Sequence, residues 1–391
     1  MVMGTHRLSR REFVTACGKG LGALALAASP VALTKEAKPA ENSSLEGQWG
    51  LVEARPSPYF KALSGKEVQC LLCPRGCAVS PGGRGYCEVR ENRGGKLYTL
   101  VYGNPCAVHR DPIEKKPFFH VLPGTRSFSI ATTGCNFDCK FCQNWEISQE
   151  VPEKTYNFRL PPAMVVRLAR EHQCASVAST YVEPTIFFEY MYDTAVLAKK
   201  HGVLSVYHSN GYINPGPLTN LCGYLAAACI DLKGFTDDFY QGMTEGTLQP
   251  VLSTIKTLRS RKVHVELVNL MIPTKNDDMA VVRRMCLWIK NELGPDVPLH
   301  FSRFVPQYKL RNLPPTPIET LEQARGVALS VGLAYVYIGN VPGHAGENTL
   351  CPNCKKILIA RRGYSILANH VVKGKCTYCG KRIPGIWEGV V

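Results

Sequence analysis

Three cysteines lie within eight residues of the segment GCNFDCKFCQNW, at Cys135, Cys139 and Cys142. Thiolate metal sites usually have four protein ligands, and the nearest histidines, His120 and His172, are not in register with this motif. Cubane [4Fe–4S] clusters are also held by cysteine thiolates, normally four of them. Three ligands would leave one iron open. The spacing therefore predicts an iron–sulfur cluster that can bind a substrate or cofactor directly.

A second cysteine group precedes this loop in CLLCPRGCAVSPGGRGYC. Four thiolates on turns rich in glycine and proline can enclose either a zinc ion or a second iron–sulfur cluster. The spacing does not separate these two, and zinc is slightly favoured. Cys106 is a possible substitute ligand but is interpreted as a bystander. The four candidate ligands are Cys70, Cys73, Cys77 and Cys87.

A third group follows near the other end of the chain, where two CxxC pairs are separated by 21 residues. Each CxxC pair forms a tight turn, and two such turns close a tetrahedral zinc site. The pattern predicts a structural zinc ion that keeps a short ribbon-like tail folded. The predicted zinc ligands are Cys351, Cys354, Cys376 and Cys379.

The composition limits the class of protein. A chain of 391 residues with 45% hydrophobic residues can bury a core, and its formal net charge is +15. A basic surface can attract nucleic acid. However, no Lys/Arg-rich run or basic patch interleaved with aromatic residues stands out, so the composition favours a solvated basic surface. Seventeen cysteines, mostly in tight clusters, indicate metal ligation instead of disulfides.

The first residues read as a targeting segment. Paired arginines in SRREF precede a mildly apolar run rich in glycine and alanine, which is the layout of a twin-arginine export signal. The run is interrupted by Lys19 and glycines, so no membrane span is predicted. The signal predicts export to the periplasm; the alternative is a cytoplasmic protein whose signal is decayed or uncut.

Between Ser127 and Asn340, short apolar runs such as FSIAT, ASVAST and AACIDLKG alternate with amphipathic segments such as PPAMVVRLAREH. This alternation predicts parallel βαβ units, and six such units suit a partial (β/α)6 TIM-like barrel with its chemistry at the carboxyl ends of the strands. We thus predict an α/β protein with a signal at 1–34, a linker at 35–55, a Cys-rich N-terminal extension at 56–125, a core barrel at 126–345 and a zinc-ribbon-like tail at 346–391.

The loop Cx3CxFC, with Phe141 before the last cysteine, resembles the radical S-adenosylmethionine (SAM) superfamily. In that superfamily SAM chelates the fourth iron of a [4Fe–4S] cluster, and one-electron cleavage gives a 5′-deoxyadenosyl radical that abstracts hydrogen from a substrate. The resemblance implies a barrel of the radical SAM type, and an external electron donor. It also implies cofactor contacts by residues near the strand ends: Phe141, Glu183, Asn210, Asp231 and Lys233.

These cofactor residues come from motifs of the family. YVEPT places Glu183, the expected partner of the SAM ammonium, after the second strand, without the glycines of the family motif. HSNG resembles the DTNG stretch of glycyl-radical-enzyme activases, with His208 in place of the acidic residue. IDLKG matches the activases, which implies that Asp231 lies near the SAM ribose and Lys233 near its carboxylate.

A narrower resemblance spans the chain from about residue 70 to residue 354. Blocks such as CLLCPRGC, DPIEKKPFFHVLPG, GCNFDCKFCQNWEISQ, NGYINPGPL and GNVPGHAGENTLCPNC resemble the radical SAM components of the three-part AmmeMemoRadiSam system. The resemblance implies two partners, a Memo-like protein and an AMMECR-type protein. In residues 111–119, the charged side chains of Glu114, Lys115 and Lys116 are expected either to clamp a partner or substrate or to form a solvated loop.

Three functions compete. A SAM-cleaving enzyme that modifies a small molecule or macromolecule is favoured, with a glycyl-radical-enzyme activase as the alternative version. An iron–sulfur electron carrier or scaffold would not need a pocket for an ammonium, a ribose and a carboxylate. A zinc-dependent nucleic-acid-binding module would explain the two ends of the chain but not the barrel.

Overall fold

The computed structural model describes residues 45–388, so the predicted signal and residues 35–44 of the predicted linker lie outside the described residues. Residues 47–49 of that linker form a strand, which pairs antiparallel with residues 156–158. Gly47 permits this close pairing because a Cβ there would lie 2.7 Å from the Tyr156 ring and 2.8 Å from the Asn157 carbonyl oxygen.

The predicted Cys-rich extension folds into two small antiparallel sheets, of order β2-β7-β6 and β3-β4-β5. The turn between the last two strands uses Gly94 and Gly95 with φ of 62° and 92°, which matches the twist of a tight hairpin. The strands are β1 (Gly47–Trp49), β2 (Arg55–Pro56), β3 (Phe60–Ala62), β4 (Val68–Cys70), β5 (Ala78–Val79), β6 (Arg90–Arg93) and β7 (Lys96–Thr99).

A central sheet of eight strands follows, in the order β16-β15-β14-β13-β12-β11-β9-β8. All neighbours are parallel except β8, which is antiparallel to β9. The predicted α/β class with a largely parallel sheet is confirmed, with seven parallel strands. The strands are β8 (Ala107–Pro112), β9 (Arg126–Ala131), β10 (Tyr156–Phe158, outside this sheet), β11 (Ser176–Ser179), β12 (Leu204–Ser209), β13 (Ala227–Asp231), β14 (His264–Met271), β15 (Leu299–Arg303) and β16 (Val336–Gly339).

Helices cover one face of the central sheet through a continuous apolar cluster. Alternation along each strand sends every second side chain to that face, as expected for connections that cross between parallel strands. The helices are α1 (Trp145–Ser148), α2 (Pro162–Glu171), α3 (Phe188–Lys200), α4 (Pro215–Cys222), α5 (Asp237–Thr244), α6 (Leu248–Ser260), α7 (Met279–Leu293) and α8 (Ile318–Val331).

The opposite face of the sheet is covered near its amino-terminal edge by residues 113–122, which we name the floor segment. Ile113, Phe118 and Val121 are fully buried there, packed in one apolar cluster with strand residues such as Val206 and Cys229. Two of the three charged residues of this segment are buried too, with Glu114 2% and Lys116 1% exposed. The alternative of a solvated loop is therefore wrong for these two residues.

The tail is built from short strands that pack against the floor segment. Arg361 donates a hydrogen bond of 2.8 Å to the carbonyl oxygen of Phe119, and the Leu122 N–H donates to the carbonyl oxygen of Ile386 at 2.7 Å. No described helix is long and apolar enough to cross a membrane. The strands are β17 (Thr349–Leu350), β18 (Ile357–Arg362), β19 (Ser365–Asn369), β20 (Val371–Val372) and β21 (Lys375–Cys376).

Candidate active site

The three-cysteine loop follows directly on β9, at the carboxyl edge of the parallel strands. Gly134 begins the loop with a φ of 96°, and a Cβ at this position would lie 2.6 Å from the carbonyl oxygen of Cys87. Glycine is thus required here both for the backbone conformation and for the close approach of two cysteine segments. The loop lies where active sites of parallel α/β folds gather.

The three sulfurs have surroundings that suit thiolate ligands of a cluster. The Phe137 N–H donates to the Cys135 sulfur at 3.4 Å, and the Cys142 sulfur lies 3.2 Å from the Ser148 hydroxyl. Burial raises the pKa of Cys139 to about 12, although the Lys233 ammonium lowers it. Among the described residues, these sulfurs do not form a group in which all lie within 4.8 Å. Thiolates that bind separate irons of a cube need such wider spacing, so the residues fit a [4Fe–4S] cluster.

Asp231 and Lys233 lie together beside this loop. Lys233 Nζ donates to Asp231 Oδ2 at 3.0 Å, and the His208 ring lies 3.1 Å from Asp231 Oδ1. Burial alone would raise the pKa of Asp231, but Lys233 and His208 outweigh burial and hold it well below its usual range. For Lys233, burial opposes the charge, but Asp231 and Cys139 keep its pKa above the usual range. Both groups are therefore charged at neutral pH.

Glu183 is 3% exposed and is held by protein donors. The Thr185 N–H donates to Oε1 at 2.9 Å, the Asn210 N–H donates to Oε2 at 2.8 Å, and the Ser209 hydroxyl contacts both oxygens. Burial raises the pKa of Glu183, and these hydrogen bonds oppose the rise. The carboxylate therefore links the loop after β11 to the end of β12.

Asn210 connects this carboxylate to the cysteine loop. Its side-chain amide donates to the Asn136 side-chain oxygen at 2.8 Å, and Asn136 follows Cys135 directly. Phe141 is buried, and its ring centroid lies 5.6 Å from Lys233 Nζ. The structure thus places all five predicted cofactor residues near the cysteine loop, on the ends of neighbouring strands or on the loop itself.

The four N-terminal cysteines line one cavity, together with Asn136 and Arg90. Cys106 is not among the residues that line it, and its thiol instead lies 3.7 Å from the Ala131 carbonyl oxygen. Arg90 is 2% exposed and forms two hydrogen bonds with the Glu189 carboxylate, of 3.0 and 2.6 Å. This ion pair fixes the extension to α3.

The four C-terminal cysteines converge as predicted. All four sulfurs lie within 4.8 Å of one another, and the pairs Cys351–Cys379 and Cys354–Cys376 are 3.6 and 3.8 Å apart. Four sulfurs bound tetrahedrally to one zinc ion at about 2.3 Å would be about 3.8 Å apart. Hydrogen bonds from Asn353 and from the backbone lower the pKa of Cys379 to about 6, which favours its thiolate form.

Two buried polar groups lie on the other face of the sheet: the contact of Lys116 with Asp111 and Tyr181, and Glu266, which was not identified from the sequence. Lys116 donates to Asp111 at 2.5 Å, and Tyr181 also hydrogen-bonds Asp111. Burial lowers the pKa of Lys116 to about 8, against the opposing effect of Asp111. Glu266 accepts hydrogen bonds from the Phe119 and His120 N–H groups, at 3.1 and 2.8 Å.

A signal for the second group was present in the sequence. In the strand segment VHVELVNL, Glu266 interrupts an apolar run at a position that alternation assigns to one face of the sheet. A buried carboxylate must find donors, so this position predicted a polar partner. No comparable signal pairs Lys116 with Tyr181, because the two residues are brought together by separate loops.

Comparisons with known proteins agree with this geometry. Residues 129–285 match the model of the radical SAM superfamily. An uncharacterized protein of Methanocaldococcus jannaschii is 45% identical over 331 residues, which cover 84% of this chain and 98% of the relative. Pyruvate formate-lyase 1-activating enzyme of Escherichia coli K12 is 23% identical over 225 residues, covering 54% of this chain and 91% of that protein. Among solved structures, a radical SAM methyltransferase from Sphaerobacter thermophilus aligns with a TM-score of 0.46 and 11% identity, covering 78% of this chain and 80% of that one.

Proposed function

We propose that the chain, of which residues 129–285 match the model of the radical SAM superfamily, is an enzyme that cleaves SAM at the loop of Cys135, Cys139 and Cys142. When bound together, a [4Fe–4S] cluster and SAM supply one-electron cleavage of the sulfonium and a 5′-deoxyadenosyl radical that abstracts hydrogen. The observation that carries the proposal is the charged pair of Asp231 and Lys233 beside the loop, with a 3.0 Å contact between the two side chains. An electron carrier would have no use for this pair.

The charged side chains of the site can contact different groups of SAM. Lys233 is a cation close enough to the thiolates of the loop to offset part of their charge, and it can also bind a carboxylate. Asp231, ionised and oriented by Lys233 and His208, can accept hydrogen bonds from the hydroxyl groups of a ribose. Glu183 orders the adjacent strand ends and, through Asn210, the cysteine loop. We keep it as the proposed partner of the SAM ammonium.

The test is anaerobic reconstitution followed by dithionite and SAM, with 5′-deoxyadenosine and methionine measured together. We expect deoxyadenosine from the native chain and none from Cys139→Ala. Asp231→Asn should raise the SAM concentration needed for half-maximal rate by about tenfold or more, since a hydrogen bond to a charged group contributes about 1.5–3 kcal/mol. Asp238→Asn, on the exposed side of α5, is the matched control and should change neither value.

The absence of deoxyadenosine from a protein with full iron and sulfide content would overturn the proposal. It would leave the carrier or scaffold reading, in which SAM is not consumed. A full turnover that requires added protein would instead point to a partner.

The finer assignment is a radical SAM component of the AmmeMemoRadiSam system, with a partial (β/α)6 TIM-like barrel and with Memo-like and AMMECR-type partners. The open sheet, whose end strands β8 and β16 have one sheet neighbour each, supports a partial barrel. The second candidate is a glycyl-radical-enzyme activase, favoured by the similarity to the Escherichia coli activating enzyme. Adding each partner separately to the deoxyadenosine assay distinguishes them: the first predicts stimulation by the Memo-like or AMMECR-type protein, and the second predicts a glycyl radical in an added pyruvate formate-lyase.

Two further assignments concern the ends of the chain. The sulfur separations in the C-terminal quartet support one zinc ion there, and metal analysis of the purified chain tests it. The SRREF segment supports export by the twin-arginine pathway. A fusion of residues 1–34 to a reporter that is active only outside the cytoplasm tests export, and loss of signal on replacing both Arg10 and Arg11 by lysine is expected.

A further inference from the structure

We propose that the cavity lined by Cys70, Cys73, Cys77 and Cys87 holds a second [4Fe–4S] cluster in place of a zinc ion. This assignment goes beyond SAM cleavage and does not depend on it, because it concerns a separate set of ligands. It also reverses the slight preference for zinc that the sequence gives.

The first step is a comparison of sulfur spacing within one structure. The C-terminal sulfurs close to within 4.8 Å of one another, as one shared ion requires, whereas in the part of the chain from residue 45 to residue 388 the N-terminal sulfurs form no such group. A single zinc ion with Zn–S bonds of about 2.3 Å cannot be reached by four sulfurs that are spread around a cavity. Thiolates at the corners of a cube each bind a different iron and are necessarily farther apart.

The second step is the lining of the space between the sulfurs. One cavity is lined by the four cysteines and by apolar side chains such as Leu72 and Ile186. A zinc ion bound by four thiolates needs no space between its ligands, whereas a cube of four irons and four sulfides does. An apolar lining also restricts access of water to a cluster.

The third step is a buried donor without a partner. Arg90 lines the cavity, and both terminal nitrogens of its guanidinium are used by Glu189, Ser57 and the Ile186 carbonyl oxygen. Its Nε is buried and has no hydrogen-bond partner among the described residues. A [4Fe–4S] core of charge 2+ with four thiolates carries a net charge of about −2, so a cluster in this cavity would give the Arg90 cation a counter-charge. Its sulfurs would also be acceptors for the Nε–H.

The fourth step is the position of the cavity next to the three-cysteine loop. Asn136 lines the cavity and is the residue after Cys135, and Arg75 Nε donates to the Asn136 carbonyl oxygen at 2.5 Å. Tyr86 also lines the cavity and is 37% exposed, and the Arg75 guanidinium lies over its ring at 3.3 Å. The site therefore adjoins the loop of Cys135 and has a solvent-exposed residue in its lining.

This position assigns the second cluster to electron transfer. An external one-electron reductant, dithionite in the experiment, would reduce it from the 2+ to the 1+ state. Passing that electron to a cluster at the three-cysteine loop would return it to 2+ and lower the charge of the acceptor by one. No proton or bond change is required in this step.

The test is metal analysis of the full chain, purified and reconstituted without oxygen with both zinc and iron available. A second cluster predicts about eight irons, eight sulfides and one zinc per chain, whereas a zinc site predicts about four irons and two zinc ions. The decisive variant is Cys135→Ala/Cys139→Ala/Cys142→Ala, which leaves the N-terminal ligands untouched. We expect it to keep about four irons, with a Mössbauer spectrum typical of [4Fe–4S]²⁺.

A triple variant that contains no cluster and about two zinc ions would overturn the proposal, as would the Mössbauer signature of a single iron bound by four thiolates. Cys73→Ala/Cys77→Ala should also fall to about four irons, and Cys222→Ala, outside all three groups, should keep about eight. Failure of the double variant to fold does not affect the result, because the triple variant alone decides between the metals. Failure of SAM cleavage is equally separable, because metal content does not require it.

Electron paramagnetic resonance tests the electron-transfer part. Two reduced clusters held by adjacent segments should interact magnetically, so the spectrum of the reduced native chain should differ from the sum of the spectra of the two cluster-deficient variants. A spectrum equal to that sum would overturn the assignment to electron transfer between neighbours while leaving the metal assignment to the iron analysis.

Discussion

The chain has two groups of four cysteines that look alike in sequence, and the structure treats them differently. The C-terminal quartet brings four sulfurs within 4.8 Å through two equivalent turns. In these turns the Lys355 N–H donates to the Cys351 carbonyl oxygen at 3.0 Å, and the Gly380 N–H donates to the Cys376 carbonyl oxygen at 2.9 Å. The N-terminal cysteines instead surround a cavity whose wall includes the Arg90 side chain of the buried Arg90–Glu189 ion pair.

The difference shows that four clustered cysteines do not by themselves bring their sulfurs together. Two paired CxxC turns face each other in the tail, so each cysteine needs only its own turn to point inward. Cys70, Cys73 and Cys77 lie within eight residues, in a segment that is anchored to the core by contacts such as the hydrogen bond from the Asn214 N–H to the Leu72 carbonyl oxygen. We therefore expect metal binding to stabilise the tail and core packing to stabilise the extension.

The largest effect should come from removing one cysteine of the C-terminal quartet. Cys354→Ser should release zinc and unfold the tail, because structural zinc sites contribute about 10 kcal/mol or more to folding of small domains at neutral pH. Zinc content should fall from about one ion per chain to none, and amide exchange in β18 and β19 should accelerate by at least a hundredfold. The iron content should not change. Retained protection of β18 without zinc would mean that the tail folds by packing alone.

The next largest effect should come from the Arg90–Glu189 ion pair beside the N-terminal cysteines. Arg90→Met leaves Glu189 buried without its partner, where the two side chains are now 2% and 9% exposed. Breaking a buried ion pair in this way costs about 3–5 kcal/mol. Chemical denaturation should show that loss, and the Arg90→Met/Glu189→Met double variant should recover part of it. A loss below about 1 kcal/mol for the single variant would show that metal, and not the ion pair, holds the extension.

Acid should destabilise the tail and floor segment more than the N-terminal extension, by a smaller free energy than in the two variants above. Burial lowers the pKa of His120 from 6.5 to about 4, partly opposed by Glu266. The unfolded chain therefore takes up the proton first, and the stability from this residue is present above pH 6.5 and is lost as the pH falls towards 4. A shift of this size corresponds to about 3 kcal/mol.

Amide exchange at pH 7 and pH 5 measures this effect. The tail and floor segment should lose protection before residues 56–106, a stretch that has no histidine. His120→Gln should reduce the pH dependence, whereas His201→Gln at an exposed position should not. Equal loss of protection at both ends would remove His120 as the cause.

The smallest effect on stability should come from the two turns of the C-terminal quartet. One turn has Lys355 and the other has Gly380 at the equivalent position. Both residues are left-handed, with φ of 62° and 73°. Lys355→Gly should raise the unfolding free energy by about 0.5–1 kcal/mol, because glycine adopts this conformation without strain. Gly380→Lys should lower it by a similar amount, since no atom within 4 Å would obstruct the new Cβ. A change of the same sign in both variants would contradict the equivalence of the turns.

Much of the site could be predicted from the sequence because its parts are local. The cysteine loop and the IDLKG segment each follow a strand directly, and parallel strands bring their carboxyl ends to one edge. Two residues apart in that segment, Asp231 and Lys233 contact each other beside the cysteine loop. The C-terminal turns are equally local, since a CxxC turn closes within a few residues.

What could not be predicted depends on long-range packing. The sequence DPIEKKPFF looks like a charged loop, yet Lys116 is buried because Asp111 and Tyr181 lie around it. Lys115, its neighbour, points outward with 43% of its side chain exposed. Charge alone does not distinguish adjacent lysines. In the same way, the separation of the N-terminal sulfurs in space depends on contacts with other elements. It cannot be read from the spacing of the cysteines along the chain.

The contacts between the tail and the floor segment also fix an order of events during synthesis. His120 lies 2.7 Å from the Pro384 carbonyl oxygen across a separation of 264 residues, and the Ile386 N–H donates to the His120 carbonyl oxygen. While the ribosome is still making the strands, the floor segment has no tail to hold it in place. The cysteine loop and the extension emerge complete long before. A nascent chain can therefore assemble its iron–sulfur ligands while the opposite edge of the sheet is still open, and the tail is the last piece to close it.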